Sequence, residues 1–197
     1  MTEQIGRRER KKAQTRQALA DAALELFLDR GYDQVGVKEV ADAADVSVTT
    51  LFKHFPGKEA LVFDEDGDVE AALVAVVRDR PAGRSIPHAL REHVLLARTR
   101  LAVRAADPRF AAFTRMVDDT PALREYAQRM WTRHEEALAR AIAAEVGAPE
   151  DDVTCAALAR FALEARVIVQ RHAEPRRAAE EAFALLEPGW AARYPGH

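Results

Sequence analysis

The stretch VKEVADAADVSVTTLFKHFP, residues 37–56, decides how this chain reads. Two helices that cross closely through a tight turn need a small side chain midway along the first, and Ala41 stands at that fifth position. They need a residue at the ninth position that tolerates the turn's backbone, here Asp45. They also need apolar residues at the tenth and fifteenth positions to pin the pair together, here Val46 and Leu51. The polar start of the second helix, Ser47-Val48-Thr49-Thr50, then faces outward, as the reading helix of a helix-turn-helix does in a DNA major groove.

Outside this pair the pattern is helical throughout, and no segment alternates like a strand. Leu19, Ala22, Ala23, Leu26 and Phe27 form one apolar stripe, and Gly31 follows as a C-cap. Pro56-Gly57 breaks the reading helix and Lys58 starts another. Further on, Ile86, Leu90, Val94, Ala97 and Leu101 mark a long helix ending near Asp107-Pro108. A short segment with Phe110, Phe113 and Met116 follows. Thr120-Pro121 then opens a helix whose stripe runs from Leu123 to Ala141, stopped by Gly147 and Pro149. Two last helices are expected, from about Asp151 to His172 and from Pro175 to Leu186.

Composition bounds the function. The chain has 197 residues, 48% hydrophobic, enough for a sizeable core. Its net charge is −3, but residues 1–16 carry six Arg/Lys against Glu3 and Glu9, so the positive bias is N-terminal. Such a run is either an arm on nucleic acid or a solvated, frayed tail. A charged start argues against a secretory leader, and the short apolar runs argue against a membrane span. One cysteine, Cys155, allows neither an intrachain disulfide nor a thiolate zinc cluster, and a cytoplasmic setting is expected. No Gly-rich phosphate loop or nucleophile elbow is present, His88 and His93 lack metal-ligand spacing, and the run Asp64 to Asp68 reads as a solvated turn rather than a calcium loop. An enzyme is therefore not expected, and no cofactor or metal is implied.

The motif's surroundings resemble the TetR family of bacterial transcriptional regulators. The residues that carry the resemblance are Thr15-Arg16, Ala22-Ala23, Leu26-Phe27, Gly31-Tyr32, Val37, Val40-Ala41, Ala44, Val46-Ser47, Leu51-Phe52, His54-Phe55-Pro56 and Lys58 to Leu61. The run HFPGKEAL is its most specific part. The resemblance implies an all-α chain: a three-helix DNA-binding domain over 1–62 and a larger helical effector-binding and dimerisation domain over 63–197. It departs from the family pattern at Asp45, where Gly is usual, at Val35-Gly36, where a Thr pair is usual, and at Val48, where a basic residue is common. The resemblance assigns phosphate contacts to Lys53, His54 and Lys58, base or backbone contacts to Thr49 and Thr50, and a sugar contact or an anchoring role to Phe52. Lys38, Ser47 and Val48 complete the expected DNA-contacting set, Val48 against a thymine methyl.

Two expectations concern the body. The helix carrying Val153, Ala157, Leu158, Phe161, Ala162, Ala165, Ile168 and Val169 is apolar around more than one stripe and so needs two neighbours. The second neighbour is either the chain's own interior or another copy. The expected dimer seam comprises Phe161, Ala165, Ile168, Phe183 and Leu186. Phe113, Met116, Met130, Trp131, His134 and Phe161 are the candidate effector-binding residues, with Arg98, Glu164 and Arg166 as polar anchors. The resulting reading is a homodimeric repressor on a palindromic operator, released by a small hydrophobic or acyl-like effector. Its alternative is a DNA-binding dimer with no ligand.

Overall fold

The computed structural model describes residues 2–197, apart from the side chains of residues 2–5 and 7. Among the described residues the chain is helical, with no strand. Its elements are α1 (Thr2–Arg30), α2 (Val37–Ala43), α3 (Val48–His54), α4 (Lys58–Val62), α5 (Asp66–Arg78), α6 (Ile86–Arg104), α7 (Pro108–Asp119), α8 (Pro121–Val146), α9 (Val153–Arg171), α10 (Pro175–Ala184) and α11 (Glu187–Arg193). No helix is long and apolar enough to cross a membrane.

The helix boundaries follow local chemistry. Gly31 ends α1 at φ 88°, its N–H returning to the Phe27 carbonyl at 3.0 Å. Ser85 caps α6 by accepting from the His88 N–H, and Asp152 caps α9 by accepting from that of Cys155. α11 was not foreseen: Pro188-Gly189 reads as a breaker, yet the proline falls in the first turn, where its missing N–H costs nothing. Trp190, 4% exposed, anchors that helix, and its indole N–H donates to the His197 carbonyl at 2.9 Å.

The chain divides into two compact units. The first holds residues up to Glu65 together with Pro108–Ala127. Its core joins Leu19, Ala23 and Phe27 of α1 to Val40 and Ala41 of α2, Leu51 of α3, Phe55, Leu61 of α4 and Leu123 of α8. By contact, α7 and the start of α8 therefore group with the helices of the reading head. Phe113 and Met116 pack against this first core, and Phe63 stacks on Tyr126 at 5.3 Å.

The second unit holds Asp66–Asp107 and Gln128–His197. Here α6 packs on α9 and α10, and α10 on α9. Its core includes Val77, Leu90, Val94, Leu138, Ile142, Leu158, Ala162, Val169 and Phe183.

Candidate functional site

The turn between α2 and α3 is built from its own residues. Ala41 is fully buried, which lets the two helices cross closely. Asp45 sits at φ 52°, in the left-handed region, so the aspartate at the turn adopts the conformation glycine usually supplies there. The Val46 N–H then donates to the Ala41 carbonyl at 2.9 Å and closes the turn. Ser47 caps α3, its hydroxyl accepting from the Thr50 N–H at 3.1 Å and lying 2.9 Å from the Thr50 hydroxyl. Gly36, lacking a side chain, cannot cap α2. Glu39 reaches back instead, accepting from the Gly36 N–H at 2.8 Å, and pairs with Arg30.

These contacts fix what α3 presents. Thr49 and Lys53 are exposed, and Phe52 is 50% exposed, a large apolar side chain held at the surface one helical turn from Thr49. Val48 differs from expectation: it is half buried against the first core, which draws it away from the open face. Thr50 is half buried with its hydroxyl already engaged by Ser47. Lys38, exposed on α2, pairs with Asp42 at 2.8 Å, a contact of the strength a phosphate readily displaces.

Arg16 is the residue sequence reasoning misplaced. Counted with the basic N-terminal run, it is instead a staple: one guanidinium nitrogen donates to the His54 carbonyl and another to the Asp64 carbonyl, both at 2.8 Å. Its guanidinium also lies 4.3 Å from the centroid of the Phe55 ring. It thus ties α1 to the end of the reading helix and to the chain beyond α4. Arg8, Arg10, Lys11 and Lys12 are exposed along α1, which continues the basic run as helix; the side chain of Arg7 lies outside the described residues.

His54 and Lys58 are half buried. Burial holds the His54 imidazole below its usual range, and Lys12 and Arg16 push it further down, so it is neutral near pH 7 in the free protein. The Lys58 ammonium donates to the Tyr32 carbonyl and sits 3.9 Å from the centroid of the Tyr32 ring. Burial lowers its pKa, against the opposing pull of Asp33, Glu59 and Glu39. Lys58 therefore anchors α4 to the residues after α1.

The residues expected to line an effector site fall in both units. Phe113 and Met116 belong to the first unit; Met130, Trp131, His134 and Phe161 belong to the second. Phe161 packs edge-on against Phe183 at 5.6 Å, while Trp131 packs edge-on against His134 at 5.1 Å. His134 is completely buried, its Nε2 2.6 Å from Asp66 Oδ1, and Arg133 donates to Asp66 Oδ2 at 2.7 Å. Asp66, read from sequence as part of a solvated turn, is thus the acid that orients the buried histidine. Its partners lie 67 and 68 residues away, beyond any local pattern. Glu164 is exposed and engaged by Arg160 at 3.2 Å.

The expected dimer seam also needs correction. Ala165 and Phe183 are fully buried in the protomer's own core and have no surface left to offer. Ile168 is 55% exposed on α9, Val153 80% on the same helix, and Leu185 79% just after α10. Leu186 and Phe161 are partly covered by the second core.

Comparison with known proteins accords with this geometry. Residues 19–64 match the family model of bacterial regulatory proteins, tetR family. The chain is 35% identical over 151 residues to the HTH-type transcriptional regulator TcmR of Streptomyces glaucescens, covering 75% of this chain and 67% of the relative. Over 37 residues it is 51% identical to the HTH-type transcriptional activator FasR of Mycolicibacterium smegmatis, covering 19% of this chain and 17% of the relative. A TetR-family regulator from Streptomyces coelicolor has the same fold at TM-score 0.61 and 22% identity, over 89% of this chain and 94% of that one. The chain is accordingly a DNA-binding regulator of transcription and not an enzyme, and it belongs to the TetR family.

Proposed function

We propose that the protein is a homodimeric repressor that binds a palindromic operator and is released from it by a small, largely apolar effector held in the second unit. The observation that carries the reading is α3: a short helix with its turn, cap and inner face fully committed, leaving Thr49, Phe52 and Lys53 as an outward polar and aromatic face. That face suits base edges and sugar, with Lys53, His54, Lys58 and the basic residues of α1 on phosphates. Lys38 adds a phosphate contact once released from Asp42. The role of Thr50 and Ser47 is to hold the start of α3.

The second copy follows from Val153, Ile168 and Leu185, large apolar side chains that the protomer leaves uncovered on α9 and beside α10. Pairing these faces gives an isologous dimer, which matches a two-fold operator. The sign of regulation comes from where the operator lies relative to the promoter, not from the reading head, since FasR, named an activator, shares part of that head. Run-off transcription from a template carrying the selected operator across the promoter tests the reading. Transcription falls with added protein and recovers with an effector; a rise on adding protein contradicts repression.

A further inference from the structure

The second unit holds buried nitrogens that nothing in the protein pairs. Arg98 Nε, Arg166 Nε and His134 Nδ1 are sealed from solvent and have no hydrogen-bond partner. A sealed donor without an acceptor carries its full desolvation penalty, and a guanidinium carries more than a neutral group. Among the described residues neither guanidinium has an ion-pair partner. The nearest acid to Arg166 along α9, Glu164, is exposed and held by Arg160. Burial accordingly lowers the Arg166 pKa, with only Glu164 opposing.

Arg166 and His134 share one neighbourhood, joined through Trp131. The Arg166 guanidinium lies 4.0 Å from the centroid of the Trp131 ring, whose edge meets His134. α9, which carries Arg166, packs on α6, where His93 is depressed by burial and by the positive charge of Arg100 and Arg166. Arg98 follows Leu90 and Val94 at helical spacing, on the side of α6 that enters the second core, and Arg166 follows Ala162 likewise on α9. Both arginines and Trp131 are half buried, so each keeps some surface in solvent. A cation stacked on an indole, with its inner N–H unpaired, is a receiver for an anion that brings apolar surface with it.

We propose that the effector is an amphipathic organic acid, its anionic oxygen accepting from Arg166 and Arg98 and its apolar body lying against Trp131. His134, oriented by Asp66, offers Nδ1 to a second polar atom of the ligand. The inference rests on the effector-responsive reading above and gives that effector its charge. An acid of either an aromatic or an acyl skeleton satisfies the geometry, so the probes include both.

The test uses the full-length protein and four probes: 2-naphthoate, dodecanoate and their uncharged amides. Binding is read by tryptophan fluorescence and by thermal shift, since a ligand of the folded state alone raises the melting temperature. At least one acid binds about tenfold or more tighter than its amide, as expected for a charge-assisted hydrogen bond to a desolvated guanidinium. Arg166→Met abolishes that preference, and Arg98→Met reduces it. Should Arg166→Met fail to fold, Arg166→Gln together with Arg98→Met supplies the same comparison. Equal affinity for acid and amide, no acid binding at all, or a preference that survives loss of both arginines overturns the proposal. If a neutral compound releases the protein from DNA and the acids do not, the effector-responsive reading stands and this inference falls. Acid binding that depends on Arg166 but never alters DNA affinity supports this site and contradicts the effector-responsive reading.

Discussion

The reading head and the body satisfy their polar groups in opposite ways. In the head, Asp45 turns the chain by its own backbone, Ser47 caps the helix it precedes, Glu39 reaches back three residues, and Arg16 donates to two backbone carbonyls. In the body, Asp66 and His134 pair across 68 residues, while Arg98 and Arg166 keep sealed N–H groups with no partner. The head thus closes its polar groups on one another, whereas the body leaves two sealed guanidinium N–H groups unpaired. The sharpest way to break this contrast is to compare substitutions that act within one region.

The largest effect is expected at Phe183, fully buried in the second core. Phe183→Ala should destabilise the fold by about 3–5 kcal/mol, read as the midpoint of denaturant unfolding. The same measurement on Leu185→Ala, two residues on and 79% exposed, should show almost nothing in a monomeric state. If the two are equal, the assignment of Phe183 to the protomer interior is wrong. Ile168→Asp is the complementary substitution: sedimentation should show a monomer with its helical content intact, and a dimer as stable as wild type removes α9 from the seam.

The next effect belongs to the head. Arg16→Ala removes two hydrogen bonds and a ring contact and should cost about 2 kcal/mol. DNA affinity should fall with it because the end of α3 loosens. Lys12→Ala, an exposed residue of the same helix, should weaken DNA binding with no loss of stability. Equal stability of the two variants would return Arg16 to the phosphate-binding arm.

These comparisons also show why the head was legible and the body less so. Every determinant of the turn between α2 and α3 lies within about fifteen residues, at spacings helical geometry dictates, so Ala41, Val46, Leu51 and Ser47 announce themselves. Arg16 did not, because a guanidinium bound to backbone carbonyls leaves no trace in residue type at the other end. Val48 reads as an exposed helix-start residue until α1 and α2 are packed beside it. In the body, helical stripes located α6, α8 and α9. A stripe, however, does not say which of two apolar faces is covered by the same chain, and so Ala165 and Phe183 were misplaced at the seam. Asp66 was hidden in an acidic run in which Glu65, Gly67 and Asp68 do face solvent.

A smaller effect sharpens the turn. Asp45 occupies a left-handed conformation that costs a non-glycine residue about 1 kcal/mol. Asp45→Gly should therefore raise head stability slightly, and Asp45→Val should lower it by more. A destabilising glycine would mean that the aspartate side chain, rather than the backbone, makes the turn.

The smallest effect is a pH dependence. Because His54 titrates below the usual imidazole range in the free protein, the unfolded chain takes up its proton first as pH falls. The histidine's contribution to stability is thus complete above about pH 6.5 and is lost as pH drops from there toward the folded pKa. A DNA phosphate beside His54 acts the other way, favouring the imidazolium. DNA affinity should rise a few-fold between pH 7.5 and 6, and His54→Gln should flatten that rise. An unchanged slope in the variant would place His54 off the phosphate.

The central claim, that two copies of α3 read a two-fold site, is tested most directly by selecting binding sites from random DNA duplexes with the full-length protein. The account predicts an enriched inverted repeat whose half-sites lie about one helical turn apart, roughly 10 base pairs or a small multiple. It also predicts that Lys53→Ala lowers the salt slope of binding by about one unit without changing the selected sequence, while Thr49→Ala changes the sequence preference. Enrichment of sites without dyad symmetry, or no enrichment above non-specific binding, would contradict it.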